Sequence, residues 1–262
     1  MRHTAAAKRI ECLGVLVMFI TFKKWTALYL LTLLLLFAGF AAILWQGSAV
    51  NASKNLTLSN EAEDFVLVID PGHGGFDGGA LAGDGTVEAH INLAIGLQIE
   101  EIARLVGTKT EMTRREDTAM DSPDAGTVRQ RKVSDLKNRS AFVNGVPNGV
   151  LVSIHQNSLP EVLSVHGAQA FYNGAGEALA LPVQEALNKV INDRPKEAKA
   201  AGSSIYLLDS VDVPGILVEC GFLSNQWETS LLKTQSHQTR LALTVFASVR
   251  NYVTNPAENA LE

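Results

Sequence analysis

The chain has 262 residues, with 22 Lys and Arg against 27 Asp and Glu and a formal net charge of −5. That length suits one medium domain plus an added segment, and the acidic balance excludes a nucleic-acid surface, which needs a basic face. Two cysteines, Cys12 and Cys220, exclude a disulfide framework, so the domain must be held by its own apolar core.

The N-terminal part differs from the rest. WTALYLLTLLLLFAGFAAILW, Trp25 to Trp45, runs 21 residues without a charge. As a helix rising about 1.5 Å per residue it reaches roughly the 30 Å of a bilayer core. A tryptophan at each end suits the membrane interfaces, and Lys23 and Lys24 lie just before the span. Five basic residues against Glu11 predict residues 1–24 inside the cell, a transmembrane helix or signal anchor at 25–45, and everything later outside. The competing reading is a cleaved signal peptide, because AVNA at 49–52 is a passable small-residue cleavage site. The domain would then be secreted instead of anchored to the cell membrane. Met18 opens MFITFKKW, a short cationic leader, so a start at Met18 in place of Met1 is expected. Residues 46–64 read as a polar linker.

Residues 65–255 read as the catalytic domain and 256–262 as a tail. FVLVID (65–70) is a continuous apolar run, as in a strand buried on both faces. Ile91, Ile95, Ile102 and Val106 mark a helix over about 87–106, stopped by Gly107. TKTEMTR (108–114) predicts a second strand, followed by a polar stretch and a helix around 129–145. VLVSIH (150–155) is another buried strand, and AQAFY (168–172), SSIYLL (203–208) and GILVEC (215–220) are three more. Helices are expected over 177–192, about 226–233 and 236–254. Strands alternating with helices predict an α/β fold, a mostly parallel twisted sheet flanked by helices on both faces.

In such sheets ligands bind at the carboxyl ends of the strands. His73 follows the first strand, His155 ends VLVSIH, and Glu219 stands near the end of GILVEC. Glu88 sits in the first turn of the helix after the glycine loop and points back to the same edge. Two neutral imidazoles and a carboxylate are a catalytic zinc ligand set with a position left for water. A separate carboxylate can take a proton from that water and pass it to a leaving nitrogen. The residues therefore read as His73, Glu88 and His155 on one zinc ion, with Glu219 as general base and acid. Gly72, Gly74 and Gly75 let backbone and substrate come close to the metal. Ligands 15 and 67 residues apart match no compact motif, so structural histidines at strand ends are the alternative.

Asp70 is expected either to orient a ligand histidine through its second nitrogen or to stabilise the turn. Arg114 and Arg139 are expected to touch substrate carboxylates or to form ion pairs at the surface. His90, two helix positions from Glu88, diverges from it by about 200° and is not expected to be a ligand. His166 either lines a substrate groove or has no role, and Cys220 reads as a small core residue.

The motifs VIDPGHGGFDGGA, MTR, SIHQNS, GAQAFY and ILVECGFLSN resemble the zinc-dependent type-3 N-acetylmuramoyl-L-alanine amidases, over roughly residues 64–254. The resemblance implies an αβα zinc hydrolase that cuts the amide between muramic acid and L-alanine in peptidoglycan. It places the metal ligands on His73, Glu88 and His155 and the catalytic glutamate on Glu219. One departure is Ala89, where the family usually has a lysine after the ligand glutamate. MTRREDT, RQRKVSDLKNRSAFVN, HGAQAFYNG and SSIYLLDSVDVPGILVECGFLSN are most similar to the spore-cortex, germination-specific branch of the family. That implies stem-peptide removal ahead of muramic-δ-lactam formation, with a polysaccharide deacetylase acting next. The alternatives are a non-catalytic wall-binding or regulatory homologue, and a zinc peptidase cutting within the stem peptide.

Overall fold

A computed structural model of the chain describes residues 65–255. The expected segments 1–24, 25–45 and 46–64, the start at Met18 and the tail 256–262 lie outside the described residues. Among the described residues, no helix is long and apolar enough to cross a membrane.

The first apolar run becomes β1 (Val66–Pro71), which pairs in parallel with β2 (Thr110–Met112) on one side and β3 (Gly149–Asn157) on the other. Beyond β3 lies β6 (Gly215–Phe222), also parallel. Then come β4 (Gln169–Tyr172), antiparallel to β6, and the two-residue β5 (Lys199–Ala200). The strand order is β2-β1-β3-β6-β4-β5. The sheet is mixed, parallel at every pairing except β4 with β6.

Alternation along the strands explains why the runs are apolar at successive positions. Leu67, Ile69, Val152, Ile154, Ile216 and Val218 face one side. They pack there against α1 (Glu88–Leu105), α3 (Glu177–Val190) and α6 (Gln235–Thr254), through residues such as Ile95, Val183 and Val245. Val68, Leu151 and Leu217 face the other side, against Val143 of α2 (Val128–Asn144) and Leu207 and Leu208 of α4 (Tyr206–Ser210). Both faces are covered, so positions of either parity are mostly apolar, and the buried exceptions Asp70 and Ser153 are hydrogen-bonded to each other. Each such Leu, Ile or Val contributes about 1.5–3 kcal/mol when fully buried.

The α2 helix has few apolar residues. It starts at a capping box in which Thr127 and Gln130 exchange side-chain and backbone hydrogen bonds. Its buried face is Asp135, Arg139, Ser140 and Val143, positions that share one side of a helix. Most of what it buries is therefore polar, and it is aimed at the loop after β1.

SSIYLL, expected as a strand, instead forms a single 3-10 turn at Gly202–Ser204 and then α4. Leu207, Leu208 and Val211 bury together, which is the spacing of a helical turn and not the every-other-residue spacing of a strand. The sixth strand is β5 instead. Both its residues are exposed, so it has no apolar run to announce it. The last helix before α6 is α5 (Gln226–Leu232), capped by the Asn225 side chain.

Candidate metal centre

The chain leaves β1 at Pro71 and turns at once. His73 has φ 62°, a left-handed conformation that costs a non-glycine residue on the order of 1 kcal/mol or more and needs outside support. Two arginines supply it. Arg139 donates from Nη2 to the His73 carbonyl at 2.7 Å and from Nη1 to the Pro71 carbonyl at 3.0 Å. Arg114 donates to the carbonyls of Pro71, Gly72 and Ala89 at 2.8, 3.0 and 2.8 Å. These side chains are 2% and 4% exposed, so their charge-assisted hydrogen bonds form away from water.

Asp70 and Asp135 balance Arg139, at 2.6 and 2.7 Å. Asp70 also accepts hydrogen bonds from Thr113 Oγ1 and Ser153 Oγ. Burial alone would raise the Asp70 pKa; the Arg139 charge and the two hydroxyls outweigh it and hold the carboxyl at about 2. Of the two roles expected for Asp70, the turn-stabilising one fits, because the Arg139 it holds bonds the Pro71 and His73 carbonyls. Arg114 and Arg139, expected on substrate or at the surface, are instead buried. Asp70 makes no hydrogen bond to a histidine, because Arg139, Thr113 and Ser153 take its oxygens. Arg114 and Arg139 are turned inward onto loop carbonyls and do not present themselves to a substrate.

His73, Glu88 and His155 meet at the carboxyl edge of the sheet. One donor atom from each lies within 4.8 Å of the others. Glu88 Oε1 is 3.3 Å from His73 Nε2 and 3.0 Å from His155 Nδ1. The imidazole rings stand edge to face, 5.0 Å apart. Glu88, at the start of α1, is itself fixed. Its Oε1 accepts from the Gln156 amide and Asn92 Nδ2, and its Oε2 from the Ala80 amide. Ala89 is buried and its carbonyl bonds Arg114, so the carboxylate beside it is oriented without a lysine at that position.

Asp77 occupies the role imagined for Asp70: its Oδ2 is 3.0 Å from His73 Nδ1. Burial disfavours charge on His73, but the carboxylates of Asp77 and Glu88 outweigh it and raise the imidazole to about 9. The hydrogen bond to His73 holds Asp77 well below the usual carboxylate range. For Glu88, burial opposes such a drop, and the two histidines produce it. Metal uptake here must displace a proton. Asp77 is visible in HGGFDGG, but an aspartate among glycines reads first as a turn former. Asn92 had no sequence signal, and Gln156 only its place in the SIHQNS motif.

Two glycines admit the ligands. A Cβ on Gly72 would lie 2.2 Å from His155 Cε1 and Nε2, and one on Gly79 would lie 2.5 Å from Glu88 Oε2. Gly74 and Gly75 have a different neighbour from the one expected. Their missing side chains make room for the backbone of Thr118 and Ala119, not for the metal cluster.

Glu219 is the Cα partner of His155 across the β3–β6 pairing. Its Oε2 is buried without a hydrogen-bond partner. Burial raises it to about 7, against the pull of His155 and with the help of Glu88. Two imidazoles and a carboxylate, each held by further hydrogen bonds, fit a divalent cation, and the donor types suit zinc. His90 faces Asp117 at the surface, and His166 lies between Asp193, the Ser164 carbonyl and the Trp227 ring. Neither joins the cluster. Cys220 is wholly buried, and burial pushes its thiol up, as in an inert core residue.

The sequence profile of N-acetylmuramoyl-L-alanine amidases matches residues 67–251. The germination-specific N-acetylmuramoyl-L-alanine amidase of Bacillus subtilis is 32% identical over 196 residues, 74% of this chain and 81% of that protein. The CwlD amidase of Clostridioides difficile, solved in complex with the GerS lipoprotein, is similar with a TM-score of 0.69. It has 34% identity, over 72% of this chain and 98% of that one. The amidase AmiC2 of Nostoc punctiforme is similar with a TM-score of 0.62 at 28% identity, over 72% and 97%.

Replacing Asp70 by Asn removes one of the two charges that balance Arg139, and should lower unfolding stability by roughly 3 kcal/mol in urea. The folded pKa of about 2 lies below the ordinary 3.8. The contribution of Asp70 is thus complete above about pH 4 and is lost as pH falls through about 2. Urea titrations should show the gap between the native chain and Asp70→Asn narrowing from about pH 6 to about pH 2.5.

Proposed function

Because the chain belongs to the N-acetylmuramoyl-L-alanine amidase family, we propose that it cuts peptidoglycan with zinc held by His73, Glu88 and His155, with Glu219 as the proton carrier. It is an amidase of the bond between N-acetylmuramic acid and L-alanine. The observation that carries the mechanistic reading is the meeting of those three donors at one sheet edge, with Glu219 opposite His155 on the next strand.

Zinc, when bound, supplies Lewis acidity toward water and the scissile carbonyl at neutral pH. The protein's part is to aim and to move protons. Asp77 fixes the His73 ring, and the amides of Ala80 and Gln156 fix Glu88. Glu219, at about 7, accepts a proton from the attacking water and delivers it to the leaving nitrogen. The C–N bond breaks, the lactyl carbonyl carbon gains a hydroxyl, and the alanine nitrogen gains a proton. The products are a free muramic acid carboxylate and a stem peptide with a free amino terminus.

The germination-specific relative of Bacillus subtilis supports a role in the spore cortex. A freed lactyl carboxylate closes to a lactam only on an unblocked amine of the same sugar. A polysaccharide deacetylase acting next is therefore the proposed partner in the pathway. The substrate lies outside the cytoplasm, in keeping with a domain held on the outer side of the membrane by residues 25–45, or secreted if that segment is cleaved. The relative solved with a lipoprotein makes such a protein a component to include in assays.

Replacing His155 by Ala should lose bound metal and activity together, by metal analysis and peptide release. Glu219→Gln should retain the metal while turnover falls about 10²–10⁴-fold; a Gln variant within about tenfold of the native rate would end that assignment. On spore-cortex peptidoglycan, mass spectrometry should find complete stem peptides that begin with L-alanine and disappear when chelator is added. Cuts inside the peptide would make the protein a peptidase. No release by the metal-loaded chain, with a lipoprotein partner present, would make it a wall-binding protein.

A further inference from the structure

The loop that carries His73 is gripped by α2 at three points. Arg139 bonds the His73 carbonyl, and the Arg131 guanidinium, ion-paired with Asp121, stacks 3.9 Å over the Phe76 ring. The third is Lys132, whose Nζ lies 2.9 Å from Asp77 Oδ1. Only this last contact reaches a side chain, Asp77, that is itself bonded to the ring of a metal-cluster residue. The other oxygen of Asp77 faces His73 Nδ1 at 3.0 Å. One carboxylate thus stands between an ammonium and an imidazole.

We propose that Lys132 is a positioning residue for the metal centre, acting through Asp77. The inference rests on the reading of His73, Glu88 and His155 as a metal site. An imidazole that gives its Nδ1 hydrogen to a carboxylate keeps Nε2 as the lone-pair donor, and His73 Nε2 is the atom that faces Glu88. Asp77 has a competing habit. Its Oδ1 also lies 3.3 Å from the Gly79 amide, the local backbone bond that draws aspartates into turns. Lys132 adds a full charge on that same oxygen and keeps the carboxylate spanning the gap, with Oδ2 on the ring.

The size of the effect separates positioning from plain stabilisation. Lys132 is 50% exposed, and a half-hydrated ion pair contributes little to folding. Partners that orient a metal ligand change metal affinity by about 10–100-fold. Lys132 stands one contact further out, so the low end of that range is expected. Its loss should leave the fold nearly untouched and weaken the metal.

The test measures zinc affinity of the full-length chain by competition with a chromophoric chelator, alongside the melting temperature of the metal-free chain. Lys132→Met should weaken zinc about tenfold while shifting that melting temperature by less than about 2 °C, and Lys132→Arg should restore the affinity. Lys137→Met, at an exposed position on the same helix, should leave the affinity unchanged. Asp77→Asn should weaken zinc further, and adding Lys132→Met to it should cost nothing more, because the two act in series. An affinity for Lys132→Met within twofold of native would overturn the inference. So would an equal loss in Lys137→Met, or a full tenfold loss persisting in the Asp77→Asn background. If the unsubstituted chain takes up no zinc, the metal reading itself falls; if it does and Lys132→Met matches it, only this inference falls.

Discussion

The site depends on one buried cation. The Arg139 guanidinium spans α2 and the end of β1, bonded at once to two carboxylates and two loop carbonyls. A desolvated charge is expensive unless every donor is satisfied and a counter-charge is close. Asp70 and Asp135 meet that demand, and the remaining hydrogen bonds fall on the backbone on either side of Gly72. This holds a histidine in a left-handed conformation that it would not choose. A lysine could not replace it, because a single ammonium lacks the planar fork that reaches all four partners.

The other components are spaced by the sheet itself. His155 and Glu219 are neighbours across a parallel pairing, so their separation follows the interstrand distance of about 4.8 Å and not the conformation of a loop. Register shifts just beyond, between His155 and Asn157, which lets the chain turn away once the ligand is placed. Glu88 comes from a helix start, where its oxygens collect backbone amides from two other segments. Ligand geometry thus rests on rigid elements, and loop freedom is confined to what the two arginines clamp.

Much of this was legible in the sequence, for physical reasons that can be named. Runs such as VLVSIH report burial on both faces, and their ends mark the carboxyl edge, which is enough to gather His73, His155 and Glu219. Glu88 was readable because a helix start after a glycine loop points one way. The polar core was misread. Arg114 and Arg139 looked like substrate-facing or surface charges and Asp70 like a histidine orienter or turn former, since charged side chains are seldom fully buried, and most of their partners, such as Asp70 for Arg139, are distant in sequence. Asp77 hid behind its aptitude for turns. SSIYLL has the composition of a strand, and only packing against α2 decides that it winds into a helix. The antiparallel β4 has no mark in its sequence, because direction is set by the path of the chain and not by residue type.

The two outermost strands of the sheet are its shortest, three residues in β2 and two in β5. An open edge is a row of unpaired amides and carbonyls that another polypeptide can extend. Rows this brief give a stranger almost nothing to zip onto. Copies of the domain crowded together on one surface would accordingly jostle without knitting into a common ribbon.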